Sequence, residues 1–89
     1  MITKETLLAE YTRLRRNNIL PMLTVYERPD DYPNDFVVRL GYVAKGRYTQ
    51  TEFACVTDSL EDARGVIPFG LTLLGRSPQD PVCIVEVWV

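Results

Sequence analysis

The density of apolar residues is highest at residues 82–89, where seven of eight positions are apolar and most are β-branched or aromatic. This length after the turn signal Asp80-Pro81 is typical of a strand. Both of its faces are apolar, with Glu86 as the single charged residue. That pattern favours an interior position in a sheet covered on both faces. The alternative is an edge strand that a second copy of the chain buries.

Residues 4–16 show the apolar repeat of one helical face. The helix is predicted to begin after Thr3, whose hydroxyl can cap the first free amides. It should end at Asn17-Asn18, because asparagine tolerates a left-handed cap. The apolar face consists of Leu7, Leu8, Tyr11 and Leu14.

Alternating residues predict strands at 20–27, 36–44 and 47–56, with a proline-rich and Asx-rich loop at 28–35. Lys45-Gly46 is a two-residue hairpin turn between the last two of these strands. A lysine with positive φ is unfavourable, so a bulged turn with a shifted register is an alternative. The unshifted register pairs Tyr42 with Thr49, Leu40 with Thr51, Val38 with Phe53, Phe36 with Cys55 and Arg39 with Glu52.

A short second helix is predicted after Asp58, with Glu61 three residues later as its capping-box partner. Gly65 and Pro68 should end it after about two turns. The following residues 66–76 are apolar but interrupted by two glycines, and residues 71–74 can form a short extra strand.

These elements predict a single small two-layer α+β domain over residues 1–89, in the order α-β-β-β-α-β. The three middle strands form an antiparallel meander. The C-terminal strand is expected to pack centrally beside the first strand, because these two strands are rich in apolar residues on both faces. The spatial order would then be 4-1-2-3.

Composition excludes several classes of chemistry. The 89 residues contain no histidine, which removes the usual general base and most transition-metal ligand sets. Cys55 and Cys83 are expected to be small buried hydrophobes. The carboxylates of Asp30, Asp31 and Asp35 lack the spacing of a calcium loop and are more typical of a solvated turn. We therefore expect no enzyme, no cofactor and no metal site.

The location of the protein is predicted from missing signals. The first residues lack the basic and apolar segments of a signal peptide. No apolar run reaches ~18 residues, the length of a membrane span. We expect a cytoplasmic protein, and its small size suits an accessory protein of a phage or mobile element.

The leading functional hypothesis is a small cytosolic protein-interaction module, an adaptor or an inhibitor, which binds a protein partner or forms a homodimer. Apolar side chains in the 66–76 loop would form a patch if they are exposed. The polar third strand looks like a sheet edge, and an edge can accept a strand from a partner. The predicted protein-binding residues are Phe69, Leu71, Leu73, Thr49 and Thr51.

The alternative is a nucleic-acid-binding accessory protein. The net charge is −2, but residues 1–50 carry eight basic and six acidic side chains. Arginine binds phosphate in bidentate geometry, and aromatic residues beside basic ones can hold single strands. Tyr42 and Tyr48 lie near such basic positions in the hairpin. The candidate residues are Arg13, Arg15, Arg16, Arg39, Lys45 and Arg47.

Overall fold

The structure, a computed structural model, describes residues 3–74 and 83–89. Its elements follow the predicted order of helices and strands, with one additional short strand. They are α1 (Lys4–Arg16), β1 (Leu20–Glu27), β2 (Phe36–Ala44), β3 (Arg47–Thr57), α2 (Leu60–Arg64), β4 (Leu73–Leu74) and β5 (Ile84–Trp88).

Helix α1 has the predicted bounds. Its first turn is capped by Thr3, whose Oγ1 accepts a hydrogen bond from the Thr6 amide at 3.2 Å. After α1, Asn18 adopts the left-handed conformation with φ of 58°, as the tolerance of asparagine for that region predicts. Leu7 and Leu14 are buried, so the predicted apolar face does pack on the core.

The strands form one antiparallel sheet in the order β3-β2-β1-β5-β4. The C-terminal strand β5 lies between β1 and β4, which confirms its predicted interior position beside the first strand. Strand β4, two residues long, is the extra strand that the 71–74 segment allowed. Residues 75–82 lie outside the described residues, including the predicted start of the last strand at Val82.

Both helices pack on the same face of the sheet, as a two-layer α+β domain requires. Within the described residues, no helix covers the opposite face, which we call the open face, so the expected cover on both faces of the sheet is wrong for this part of the chain. The buried core lies between the helices and the sheet and consists of Leu7, Leu14, Leu23, Val25, Val38, Leu40, Ala63 and Val66.

The predicted register of the β2–β3 hairpin agrees with the observed one only near the turn. Tyr42 pairs with Thr49 as predicted, but Arg39 pairs with Ala54 and Val38 with Cys55. The predicted pairs of Arg39 with Glu52, Val38 with Phe53 and Phe36 with Cys55 are therefore wrong.

The shift arises from a bulge in β3 that Thr51 stabilises. The Thr51 hydroxyl donates to the Leu40 carbonyl at 2.7 Å and accepts from the Phe53 amide at 3.1 Å. A hydroxyl that satisfies backbone groups in this way compensates for ladder bonds that the bulge removes.

The cap of α2 also differs from the prediction. Ser59, not Asp58, is the N-cap residue, and its Oγ accepts from the Asp62 amide at 3.0 Å. Serine and aspartate are nearly equal as caps, so local sequence could not separate these adjacent positions. The helix ends at Gly65, as predicted, but it has only 5 residues rather than two turns.

Candidate functional site

A groove of about 490 Å³ opens between β5 and the segment that joins α2 to β4. Strand β5 places Trp88 and Glu86 on the helix side of the sheet, because they pair with the core positions Leu23 and Val25 of β1. The rest of the lining comes from the helix end and the loop: Arg64, Ile67, Pro68, Phe69, Gly70, Leu71 and Leu73.

Exposed apolar side chains surround this groove. Phe69 is fully exposed, and Leu73 retains 49% of its accessible surface. Gly70 next to Phe69 has φ of 91°, a conformation that side chains other than glycine rarely adopt. A side chain at position 70 would therefore strain the backbone next to Phe69.

An ion pair between a half-exposed arginine and a buried glutamate lies at the floor of the groove. The side chain of Glu86 is only 7% exposed, whereas that of Arg64 is 54% exposed. Arg64 Nε donates to Glu86 Oε2 at 3.0 Å, and Arg64 Nη2 donates to the same oxygen at 2.5 Å. The indole Nε1 of Trp88 donates to Glu86 Oε1 at 3.2 Å. Both carboxylate oxygens therefore have donors.

These contacts set the charge of the floor. The hydrogen bond from Arg64 lowers the pKa of Glu86 below its usual value, although burial opposes this effect. The same hydrogen bond raises the pKa of Arg64. Both groups are therefore charged near neutral pH, and their charges cancel. The groove offers a partner apolar contact above a neutral ion pair.

The predicted protein-binding residues fall on two separate surfaces. Phe69, Leu71 and Leu73 lie together along the groove. Thr49 and Thr51 lie on β3, at the opposite edge of the sheet. Thr49 is exposed, but the hydroxyl of Thr51 is used within the bulge. One docked segment cannot contact both groups side by side, because β2, β1 and β5 separate them.

The sequence pattern did not identify Arg64, Glu86 and Trp88 as groove residues. A signal for Glu86 was present, since it is the one charge in an otherwise apolar strand. A buried carboxylate needs a partner. The partner itself, 22 residues earlier in the chain, could not be identified without the tertiary structure.

Most of the predicted nucleic-acid-binding residues lie at one end of the domain. Leu20, which follows α1 closely, pairs with Val43, which precedes the Lys45-Gly46 turn. The end of α1 and the tip of the hairpin are therefore adjacent. We call this surface the basic end, and its exposed cations are Arg13, Arg15, Arg16, Lys45 and Arg47.

Two of the six predicted cations are engaged by carboxylates. Arg13 Nε lies 2.5 Å from Glu10 Oε1. Arg39 Nη2 lies 2.6 Å from Asp31 Oδ2, away from the basic end, and its guanidinium stacks 5.2 Å from the Tyr26 ring centre. Among the described residues, no carboxylate forms an ion pair with Arg15, Arg16, Lys45 or Arg47.

The two cysteines are separate free thiols. Cys55 lies on β3 and Cys83 precedes β5, so β2 and β1 lie between them. Neighbouring strands are about 4.8 Å apart, which places the two thiols beyond disulfide distance. Across residues 3–74 and 83–89, no group of three or more metal-ligating side chains occurs.

Comparison of the chain with protein-family models, with curated proteins and with solved structures gives no match. Neither helix in the described part of the chain has the length and apolarity to cross a membrane.

Proposed function

We propose that this protein is a small cytosolic protein-interaction module, an adaptor or an inhibitor, whose groove binds a segment of a partner protein. The observation that supports this proposal most strongly is the fully exposed Phe69 beside the groove. Exposed aromatic and aliphatic side chains around a concave apolar surface are common in protein interfaces. The neutral Arg64–Glu86 pair lets an apolar segment dock without leaving an unpaired charge.

The backbone of β4 supports the same role. Thr72 and Val89 exchange two hydrogen bonds, of 2.7 and 3.0 Å. Ladder bonds alternate along an antiparallel pair, so the amide and carbonyl of Leu73 point away from β5. Among the described residues, β5 is the sole neighbour of β4. A partner strand can therefore add to this edge while its side chains enter the groove.

The test is a quantitative pull-down from nuclease-treated lysate, with the tagged wild-type protein and with its Phe69→Ser variant as baits. Tyr32→Ser is the matched control, since Tyr32 is an exposed aromatic residue outside the groove. We expect the groove variant to lose a specific protein that the control retains. If wild type and Phe69→Ser recover equal amounts of that protein, and bind it equally when it is purified, the proposal is contradicted.

The gathering of cations at the basic end favours a second candidate function, nucleic-acid binding. Four of these cations have no ion-pair partner in the described chain, so they are available for phosphates. Such binding should weaken steeply with salt. A double charge reversal at Arg15 and Arg16 should abolish it, whereas reversal of Arg28 at the other end of β1 should not.

A further inference from the structure

Tyr48 forms an exposed aromatic platform on the open face. Its side chain is 50% exposed. The phenol lies across Gly41 of β2, where a Cβ atom would come within 2.6 Å of the Tyr48 Cε2 atom. The phenol also forms a hydrogen bond with the Thr24 side chain. The ring is therefore held on the sheet surface instead of extending freely into solvent.

A depression of about 230 Å³ adjoins this ring. Tyr26 also lines it, but the Arg39 guanidinium stacks on the Tyr26 ring. Tyr48 is consequently the more accessible of the two rings for an incoming planar group. The depression is lined by Met22, Thr24, Tyr26, Tyr48, Ile84 and Val87.

The charge around Tyr48 favours an anionic ligand. Lys45 in the turn and Arg47 at the start of β3 precede it, and both are exposed. Arg47 pairs with Ala44, so by alternation it lies on the other side of the strand from Tyr48, at the hairpin tip. The register places Met22, Gly41, Val43 and Gln50 around Tyr48 on the open face, and none of these carries a carboxylate. The nearest acidic residue along β3 is the exposed Glu52, four positions after Tyr48 and farther from the hairpin tip, whereas Asp31 in the 28–35 loop is engaged by Arg39.

We propose that single-stranded nucleic acid binds across the hairpin tip, with a base stacked on Tyr48 of the open face and phosphates near Lys45 and Arg47 at the tip. This inference rests on the second candidate function, nucleic-acid binding at the basic end. It adds the form of the ligand and the residue that contacts its base. Stacking on tyrosine is possible for every base, so binding should depend little on sequence.

A single strand fits this surface better than a duplex does. In a duplex, the faces of the bases are stacked on one another and are unavailable to a tyrosine ring lying flat on a sheet. An unpaired strand can turn a base onto the ring while its backbone follows adjacent cations.

The predicted pair of Tyr42 and Tyr48 does not act together here, because Tyr42 lies on the helix side of the sheet.

The test is fluorescence anisotropy at low salt, with labelled oligo(dT) and with a DNA hairpin duplex as probes. We expect wild type to bind oligo(dT) more tightly than the duplex. Tyr48→Leu should weaken oligo(dT) binding about tenfold, because it removes the stacking of one base. Tyr48→Phe is the matched control, since it keeps the ring and should bind within about twofold of wild type.

A second variant separates stacking from charge. Arg47→Ala should weaken the binding of both probes. The slope of the logarithm of the binding constant against the logarithm of the salt concentration should become smaller by about one. Thermal melting of each variant checks that it is folded. If Tyr48→Leu does not fold, Tyr48→Trp replaces it and should bind oligo(dT) at least as tightly as wild type.

The outcomes distinguish this inference from the candidate function on which it rests. In one outcome, both probes bind equally, neither substitution at Tyr48 changes the affinity, and charge reversal at Arg15 and Arg16 abolishes binding. That result would overturn the stacked single strand and retain nucleic-acid binding. No binding of either probe at low salt would overturn both.

Discussion

Arg64 and Glu86 join the short second helix to β5, an interior strand of the sheet, because two guanidinium nitrogens of Arg64 donate hydrogen bonds to the Glu86 carboxylate. One partner is half exposed and the other is buried. The pair lies under the groove and next to the Trp88 indole. It therefore connects the stability of α2 to the shape of the candidate protein-binding site.

Replacement of Glu86 by Gln should reduce the free energy of unfolding by about 1–2 kcal/mol at pH 7, because the bonds to Arg64 lose their ionic character. The partial exposure of Arg64 limits this loss. Urea denaturation measures it. Glu61→Gln is the control, since Glu61 is an exposed carboxylate on the same helix, and it should be close to neutral.

The same pair gives the wild-type protein a pH dependence. The pKa of Glu86 is lowered in the folded state, so its contribution to stability is fully present above the ordinary glutamate pKa of about 4.3. It is lost as the pH falls through the lowered value. The stability difference between wild type and Glu86→Gln should shrink over that range. A difference that grew on acidification would contradict the assignment.

Replacement of Gly41 by Ala should destabilise the domain by about 1–3 kcal/mol, because the new methyl group overlaps the Tyr48 ring. Thermal melting should show a decrease of several degrees. In the Tyr48→Ser background, which lacks the ring, Gly41→Ala should reduce the free energy of unfolding by less than it does in the wild-type protein. If the changes in the free energy of unfolding are fully additive, the ring moves aside from the new methyl group without cost.

Replacement of Lys45 by Asn should stabilise the hairpin. Lys45 has φ of 53° and Gly46 has φ of 75°, so both turn residues are left-handed, and Asn-Gly is the preferred pair for such a turn. Relief of the strain should add about 1 kcal/mol. Lys45→Ala is the matched control, since it removes the same charge but keeps the unfavourable conformation. An equal gain from both variants would attribute the effect to charge.

The thiol of Cys55 should react slowly with a disulfide reagent in the folded protein at pH 7. Burial raises the pKa of Cys55, and the charge of Lys4 opposes this only partly. Thiolate is the reactive form, so its low population slows the reaction. A Cys83→Ser variant isolates Cys55, and the rate is compared with that of the same variant in urea. Similar rates in both conditions would contradict the burial of this thiol.

The local elements could be predicted from the sequence, because their signals come from neighbouring residues. Apolar periodicity and the Thr3 cap define α1, and alternation defines β1 and β2 with their observed bounds. The strand at the end of the chain was recognised as interior from its two apolar faces. The two-residue turn with a left-handed Lys45 was one of two alternatives, the other being a bulged turn.

The contacts between distant residues could not be predicted and become visible in the folded chain. The Thr51 bulge shifted the β3 register because a hydroxyl could replace ladder hydrogen bonds. Burial of Glu86 required Arg64 from another element, and the sheet order separated Phe69 from Thr49. The same order brought the end of α1 to the hairpin tip. These outcomes depend on long-range pairing, which hydrophobic periodicity along the chain does not encode.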